Sequence, residues 1–151
     1  MILDITNQIA TAYAPTAIGT QVNGTYIDTM TIEDWGMGEA LHWLTSINTT
    51  VTGNATATLN FILQGAIDSV FTSPVTVAQA LPTPILQANF ATQAVKGTQY
   101  AIKFPRGFAY RYYRLGVVIG TATLIGGAFD SWILNDAIQD NKSYPSGYLV
   151  K

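Results

Sequence analysis

The chain has 151 residues, no cysteine, and 7 Lys+Arg against 9 Asp+Glu, a formal net charge of −2. That is one domain's worth of sequence, with an expected radius of gyration of about 15 Å and enough length to bury a core unaided. The composition excludes disulfides, thiolate–zinc sites and thiol catalysis. It argues against a generic nucleic-acid binder, and no apolar run approaches the ~18 residues of a membrane-spanning helix. Charged residues make up only 11%, against about 25% in an average protein. The surface must therefore be built from Thr, Asn, Gln, Ser and Gly. Such a surface repels other copies weakly and suits a protein that lives in an assembly or is exported.

The elements follow in chain order. Met1-Ile2-Leu3-Asp4 has neither a basic n-region nor a long apolar core and is not expected to be a signal peptide. The stretch up to a turn at Asn23-Gly24 is small and polar, and reads as an extended arm or an irregular edge strand. Leu41, Trp43, Thr45 and Ile47 alternate onto one face. A loop or hairpin connection is expected over residues 49–54. Next comes a half-buried strand, with Ala57, Leu59, Phe61 and Leu63 on one face and Thr56, Thr58 and Asn60 on the other. Further strands are expected over residues 75–78, 100–104, 110–119 and 121–125. Pro82 and Pro84 bracket a loop, and Pro105-Arg106-Gly107 is a turn. Gly116, Gly120, Gly126 and Gly127 invite bulges or sharp bends. Residues 84–94 hold a short helix at most, and residues 133–138 one helical turn.

Seven or eight short strands separated by turn signals predict an all-β fold, an antiparallel β-sandwich or jelly roll. The domain plan is an N-terminal arm or edge segment over 1–23, the jelly-roll domain over 24–136, and a C-terminal tail over 137–151.

Chemistry-bearing residues are sparse. His42 is the single histidine, sits in a strand-like run and has no Gly-x-Ser-x-Gly nucleophile elbow to serve, so it reads as structural. Glu33, Asp34 and Glu39 cluster in a loop, without the facing geometry that glycosidases need. Calcium binding by Asp28, Glu33 or Asp34 lacks EF-hand spacing. No metal or cofactor is expected, and no enzymatic activity. Trp35, Trp43 and Trp132 would be needed for a sugar-stacking platform, but isolated strand tryptophans are more often core residues. Four N-x-[ST] sequons occur, a number expected by chance in so Asn- and Thr-rich a chain.

The basic residues are the exception. Lys103, Arg106, Arg111 and Arg114 fall close together, interleaved with Tyr110, Tyr112 and Tyr113. On a strand, Arg111 and Tyr113 point one way and Tyr112 and Arg114 the other. Arg and Tyr are favoured in protein interfaces. The equal alternative is structural, with the tyrosines in the core and the arginines paired to the few carboxylates.

Several segments together carry a resemblance. They are Met1-Ile2-Leu3-Asp4, then Gly36-Met37-Gly38-Glu39-Ala40-Leu41, then Leu59-Asn60-Phe61-Ile62-Leu63-Gln64 with Phe71-Thr72-Ser73-Pro74, and finally Tyr110-Arg111-Tyr112-Tyr113-Arg114-Leu115. In this order and spacing the chain resembles the Bbp16-like capsid cement (decoration) proteins of tailed bacteriophages over about residues 1–134. The resemblance implies a jelly-roll structural protein on the outer surface of the virion capsid. Its partners would be a major capsid protein of the HK97 fold, whose neighbouring capsomers it would bridge, and itself, as a homodimer or homotrimer. Neither nucleic acid nor membrane would be a partner. Residues 137–151 look like an extension of the family's pattern. The candidate capsid or subunit interface comprises Met1, Ile2 and Leu3 in the arm, Arg106, Arg111, Tyr112 and Arg114, and Tyr144 and Tyr148 in the tail. The competing expectation is a carbohydrate-binding β-sandwich module of a phage tail or surface adhesin.

Overall fold

The computed structural model describes residues 8–34 and 41–134. Ten strands run in the order β1 (Gln8–Tyr13), β2 (Gly19–Val22), β3 (Ile27–Asp34), β4 (His42–Gly53), β5 (Thr58–Ala66), β6 (Val75–Gln79), β7 (Ile85–Leu86), β8 (Gln99–Lys103), β9 (Ala109–Gly120) and β10 (Leu124–Leu134). All pairings are antiparallel. One sheet has the order β1-β10-β4-β8. In the other, β9 and β5 pair at the centre, β2 and β3 share the outer edge of β9, and β6 and β7 share the outer edge of β5. Counting each shared edge as one position, the last strand lies beside the first and the next-to-last beside the second. That is the double Greek key of a jelly roll, and the all-β sandwich read from the sequence is what the chain forms. Of the arm or edge segment expected over 1–23, residues 1–7 lie outside the described residues, as do the tail over 137–151 and the end of the domain at 135–136. Within 8–22, β1 and β2 each occupy a sheet edge.

The core is made by alternate residues of the central strands. Ile47 and Trp43 from β4, Phe129 and Ile133 from β10, Leu59, Phe61 and Leu63 from β5, and Tyr113, Leu115, Val117 and Ile119 from β9 form one buried cluster. Phe61 and Phe129 join the two sheets edge-to-face with ring centroids 5.0 Å apart. Such a pair adds about 0.5–1.5 kcal/mol beyond its area. One polar knot lies inside. The Trp43 indole donates to Ser131 Oγ at 2.8 Å, the Ser131 hydroxyl donates to the Leu44 carbonyl at 3.1 Å, and Thr45 Oγ1 lies 3.2 Å from Ser131 Oγ. Thr45 and Ser131 are opposite each other in the β4–β10 ladder. The knot therefore pins the register of the two central strands of that sheet.

Several local expectations are corrected. Residues 49–53 are not a loop: β4 continues through them and pairs with β10 as far as Gly53 opposite Leu124. Thr49, Thr50, Val51 and Thr52 are β-branched and favour the strand. The turn falls later, with Ala57 N donating to Asn54 O at 3.0 Å and Thr56 at φ 72°. The expected strand at 121–125 begins only at Leu124, because Thr121 (φ 65°) and Ala122 make the β9–β10 turn. Ile133 and Leu134 are not helical but end β10, opposite Trp43 and His42. The helix within 84–94 is two short pieces, a 3-10 turn at Gln87–Asn89 and α1 at Phe90–Gln93, held by buried Phe90. β5 is buried on both faces rather than half-buried. Its polar outer residues are satisfied: Asn60 Nδ2 donates to the Leu81 carbonyl at 3.0 Å and Gln64 Oε1 accepts from Arg114.

The glycines divide by role. Gly126 and Gly127 lie where the β10–β4 register shifts, with Gly127 at φ 139°, so they are bulge residues. Gly116 sits in the unshifted β5–β9 ladder. A Cβ there would lie 2.7 Å from Ile62 Cγ1, so glycine lets the Ile62 side chain lie flat across β9.

Ser131→Ala removes the acceptor of a buried indole N–H. The expected loss is about 1–3 kcal/mol, read from denaturant unfolding, with the denaturant slope unchanged. A loss below about 0.5 kcal/mol would show that the indole finds another acceptor.

Candidate functional site

At one end of the β5–β9 pair the outer surface carries a continuous chain of contacts. Arg111 forks onto Asp28, with Nε 2.7 Å from Oδ1 and Nη2 2.9 Å from Oδ2. The Arg111 guanidinium lies 5.1 Å from the Tyr112 ring centroid. Tyr112 meets Tyr26 edge-on at 5.4 Å, and Tyr26 meets Phe71 at 6.0 Å. The Arg114 guanidinium lies over Phe71 at 4.0 Å, while its Nε donates to Gln64 Oε1 at 2.9 Å. Strand β9 positions Arg114, since Tyr113 and Leu115 are fully buried and alternation sends Tyr112 and Arg114 to the opposite face. The strand register brings the partners: Asp28 is opposite Tyr112, and Gln64 is opposite Arg114.

The loop between β5 and β6 completes the patch. Asp68 Oδ1 accepts from the backbone N–H groups of Val70 (3.0 Å) and Thr72 (3.1 Å) and from the Thr72 hydroxyl (3.2 Å). This turn tucks Phe71 inward under Arg114 and leaves Val70 81% exposed. In β3, Asp28 Oδ1 also accepts from Met30 N at 2.8 Å, and Met30 is 76% exposed. Both Met30 (φ 67°) and Phe71 (φ 55°) hold left-handed backbone, an uncommon state for bulky apolar residues. The result is an apolar, aromatic patch with two cations, Arg111 and Arg114, and two carboxylates, Asp28 held by Arg111 and Asp68 held by its own loop.

The electrostatics follow from these contacts. The Arg111 hydrogen bond holds the Asp28 carboxyl below the ordinary aspartate range, with smaller help from Met30 N–H, the Arg111 charge and Tyr112. The Thr72 N–H does the same for Asp68, assisted by the Thr72 hydroxyl and by the Val70 and Phe71 amides. Arg114 is different: burial pulls its guanidinium below the ordinary arginine value, and it forms no ion pair among the described residues.

The structure thus separates the sequence candidates. Arg111, Tyr112 and Arg114 come together. Arg111 is paired to Asp28, and Arg114 forms no ion pair among the described residues. Asp28 is accordingly not free as a calcium ligand. Arg106 lies exposed in the β8–β9 turn, with no ion pair among the described residues. Met1, Ile2, Leu3, Tyr144 and Tyr148 lie outside the described residues, as do Trp35 and Glu39. Trp43 is 1% exposed and Trp132 is buried with Leu44 and Leu134, so neither presents a face for a sugar to stack on. His42 pairs across strands with Lys103 and Leu134, and among the described residues no hydrogen bond joins it to Ser, Asp or Glu. Two shallow grooves, one of about 430 Å³ at the start of β5 and one of about 330 Å³ along the end of β4, share Gln87 and Ala88 and are lined by uncharged residues. They offer no acid or base. Tyr26, Phe71, Gln64 and Val70 went unpredicted as site residues, although Gln64 and Phe71 both stand in the resembling segments.

The family model named Bbp16 matches residues 6–133, which takes in every strand from β1 to β9 and nearly all of β10. The chain belongs to the Bbp16 family. Bbp16 is a phage-related family. No curated protein matches the chain significantly.

Because the folded-state values of Asp28 and Asp68 are depressed, the unfolded chain binds more protons as acid is added. Their contribution to stability is present above the ordinary value of 3.8 and disappears as pH falls through the lower folded-state values. Melting temperature measured from pH 7 downward should stay level until about pH 4–5 and then fall. The fall should be shallower in Asp28→Asn and Asp68→Asn, and equal slopes in all three proteins would show that these carboxyls are not the ones that matter.

Proposed function

We propose that this Bbp16-family chain is a capsid cement protein that binds the outer surface of an HK97-fold phage head and bridges neighbouring capsomers. The observation that carries the reading is the combination of a phage-related family match over nearly all of the jelly roll with a partly exposed arginine–aromatic patch on its outer face. The sequence segments that resemble capsid cement proteins point the same way. Tyr112 and Arg114 belong to one of those segments, and Phe71 to another.

The physical design suits the role. Both sheets bury their inner faces in one core, so the body is stiff and loses little freedom on docking. Few charges on the surface allow many copies to sit close together. Each contact can be weak, because a bridging subunit engages more than one shell subunit and the second contact forms at high effective concentration.

Mixing the purified protein with undecorated, expanded heads and measuring co-sedimentation against protein concentration tests the proposal. Saturation at a fixed ratio of copies to capsid subunits is expected. A folded protein that never sediments with the heads would overturn it.

A further inference from the structure

Arg114 has an unusual position. Gln64 fixes its Nε and Phe71 fixes its plane, so the guanidinium is held in place before any partner arrives. Among the described residues the one ion pair is Arg111–Asp28, and Arg114 makes no hydrogen bond beyond that to Gln64. A half-buried cation with no counter-charge carries a desolvation cost that only a partner can offset. Its two terminal nitrogens present the fork that matches a carboxylate.

The surroundings specify the partner further. Val70, Met30 and Tyr26 are exposed apolar side chains of this same patch. Apolar residues around a charge exclude water when a partner covers them, and this strengthens the central contact. Two of the patch's apolar residues, Met30 and Phe71, are kept in left-handed backbone by the Asp28 and Asp68 carboxylates. Among the described side chains, no carboxylate of a second copy stands free to serve as the partner. Of the carboxylates whose side chains are described, Asp28 is taken by Arg111 and Asp68 by its own loop. Asp130 accepts from Ala12 N and Asn48 Nδ2, both at 2.6 Å.

We infer that the patch around Arg114 is the face that docks on the shell, and that Arg114 receives an Asp or Glu of the capsid protein set among apolar side chains. This rests on the cement reading and adds the face and the chemistry of the contact.

The test is co-sedimentation with expanded heads for the wild type, Arg114→Gln, Arg114→Lys and Val70→Ser, alongside sedimentation velocity of each protein alone. Arg114→Gln should weaken binding about tenfold or more. It should also flatten the loss of affinity with rising salt. Lysine should restore binding only in part, since it lacks the fork. Val70→Ser should weaken binding severalfold with an unchanged melting temperature, and it decides the matter if Arg114→Gln unfolds. Wild-type affinity in both Arg114→Gln and Val70→Ser overturns this inference and leaves the cement reading standing on another face. Loss of self-association in Arg114→Gln, with head binding intact, also overturns it by assigning the patch to a second copy. A wild type that does not bind heads removes both readings together.

Discussion

The structure depends on where the last two strands go. β9 and β10 are each at the centre of a sheet, flanked on both sides. β10 joins β4 to β1, and β9 joins β5 to β2 and β3. Neither sheet can close until the chain has returned to its own earlier strands, so most tertiary contacts are long-range in sequence. The Ser131 knot and the Phe61–Phe129 contact are the two places where that return is locked, one within a sheet and one between sheets. The candidate surface inherits its rigidity from this arrangement. Arg114 is one residue from the fully buried Tyr113 and Leu115, so it stands on the best-fixed strand of its sheet.

Much of the architecture was legible in the period-two patterning. Leu59, Phe61 and Leu63 alternate against Thr58, Asn60 and Gln64, and the structure keeps that alternation. What the pattern concealed was burial of the polar side. Asn60 and Gln64 look like solvent-facing residues, yet each is covered and hydrogen-bonded to a group distant in sequence. The run 49–53 was hidden for the opposite reason. Threonine and glycine suggest a loop by composition, whereas β-branching and the available partner strand β10 make it a ladder.

The site was legible only in part, again for physical reasons. Arg111, Tyr112 and Arg114 stand out because cations are rare in this chain and these lie among tyrosines. Their partners do not stand out. Asp28 is 83 residues from Arg111, and Phe71 reaches Arg114 only because the Asp68 turn holds it in left-handed backbone. No local signal distinguishes the arginine that is ion-paired among the described residues from the one that is not. That distinction exists only in three dimensions, where Arg111 meets Asp28 and Arg114 meets Gln64 and Phe71.

The sheet edges bear on life in a crowd. β1 meets β10 with two register shifts, and Ala12 within it has φ 45°. The outer edge of β9 is divided between β2 and β3, and β3 itself slips register between Asp28 and Glu33. The outer edge of β5 is divided between β6 and the two-residue β7. β8 is the most regular edge, but it is only five residues long and ends in Lys103. Long, flat edges recruit strands from other molecules, and short, broken or charged ones do not. A protein with so little net charge lacks repulsion to keep its copies apart. Here the interrupted outlines of the sheets supply that protection, so copies can stand side by side at high local density without stitching together into fibrils.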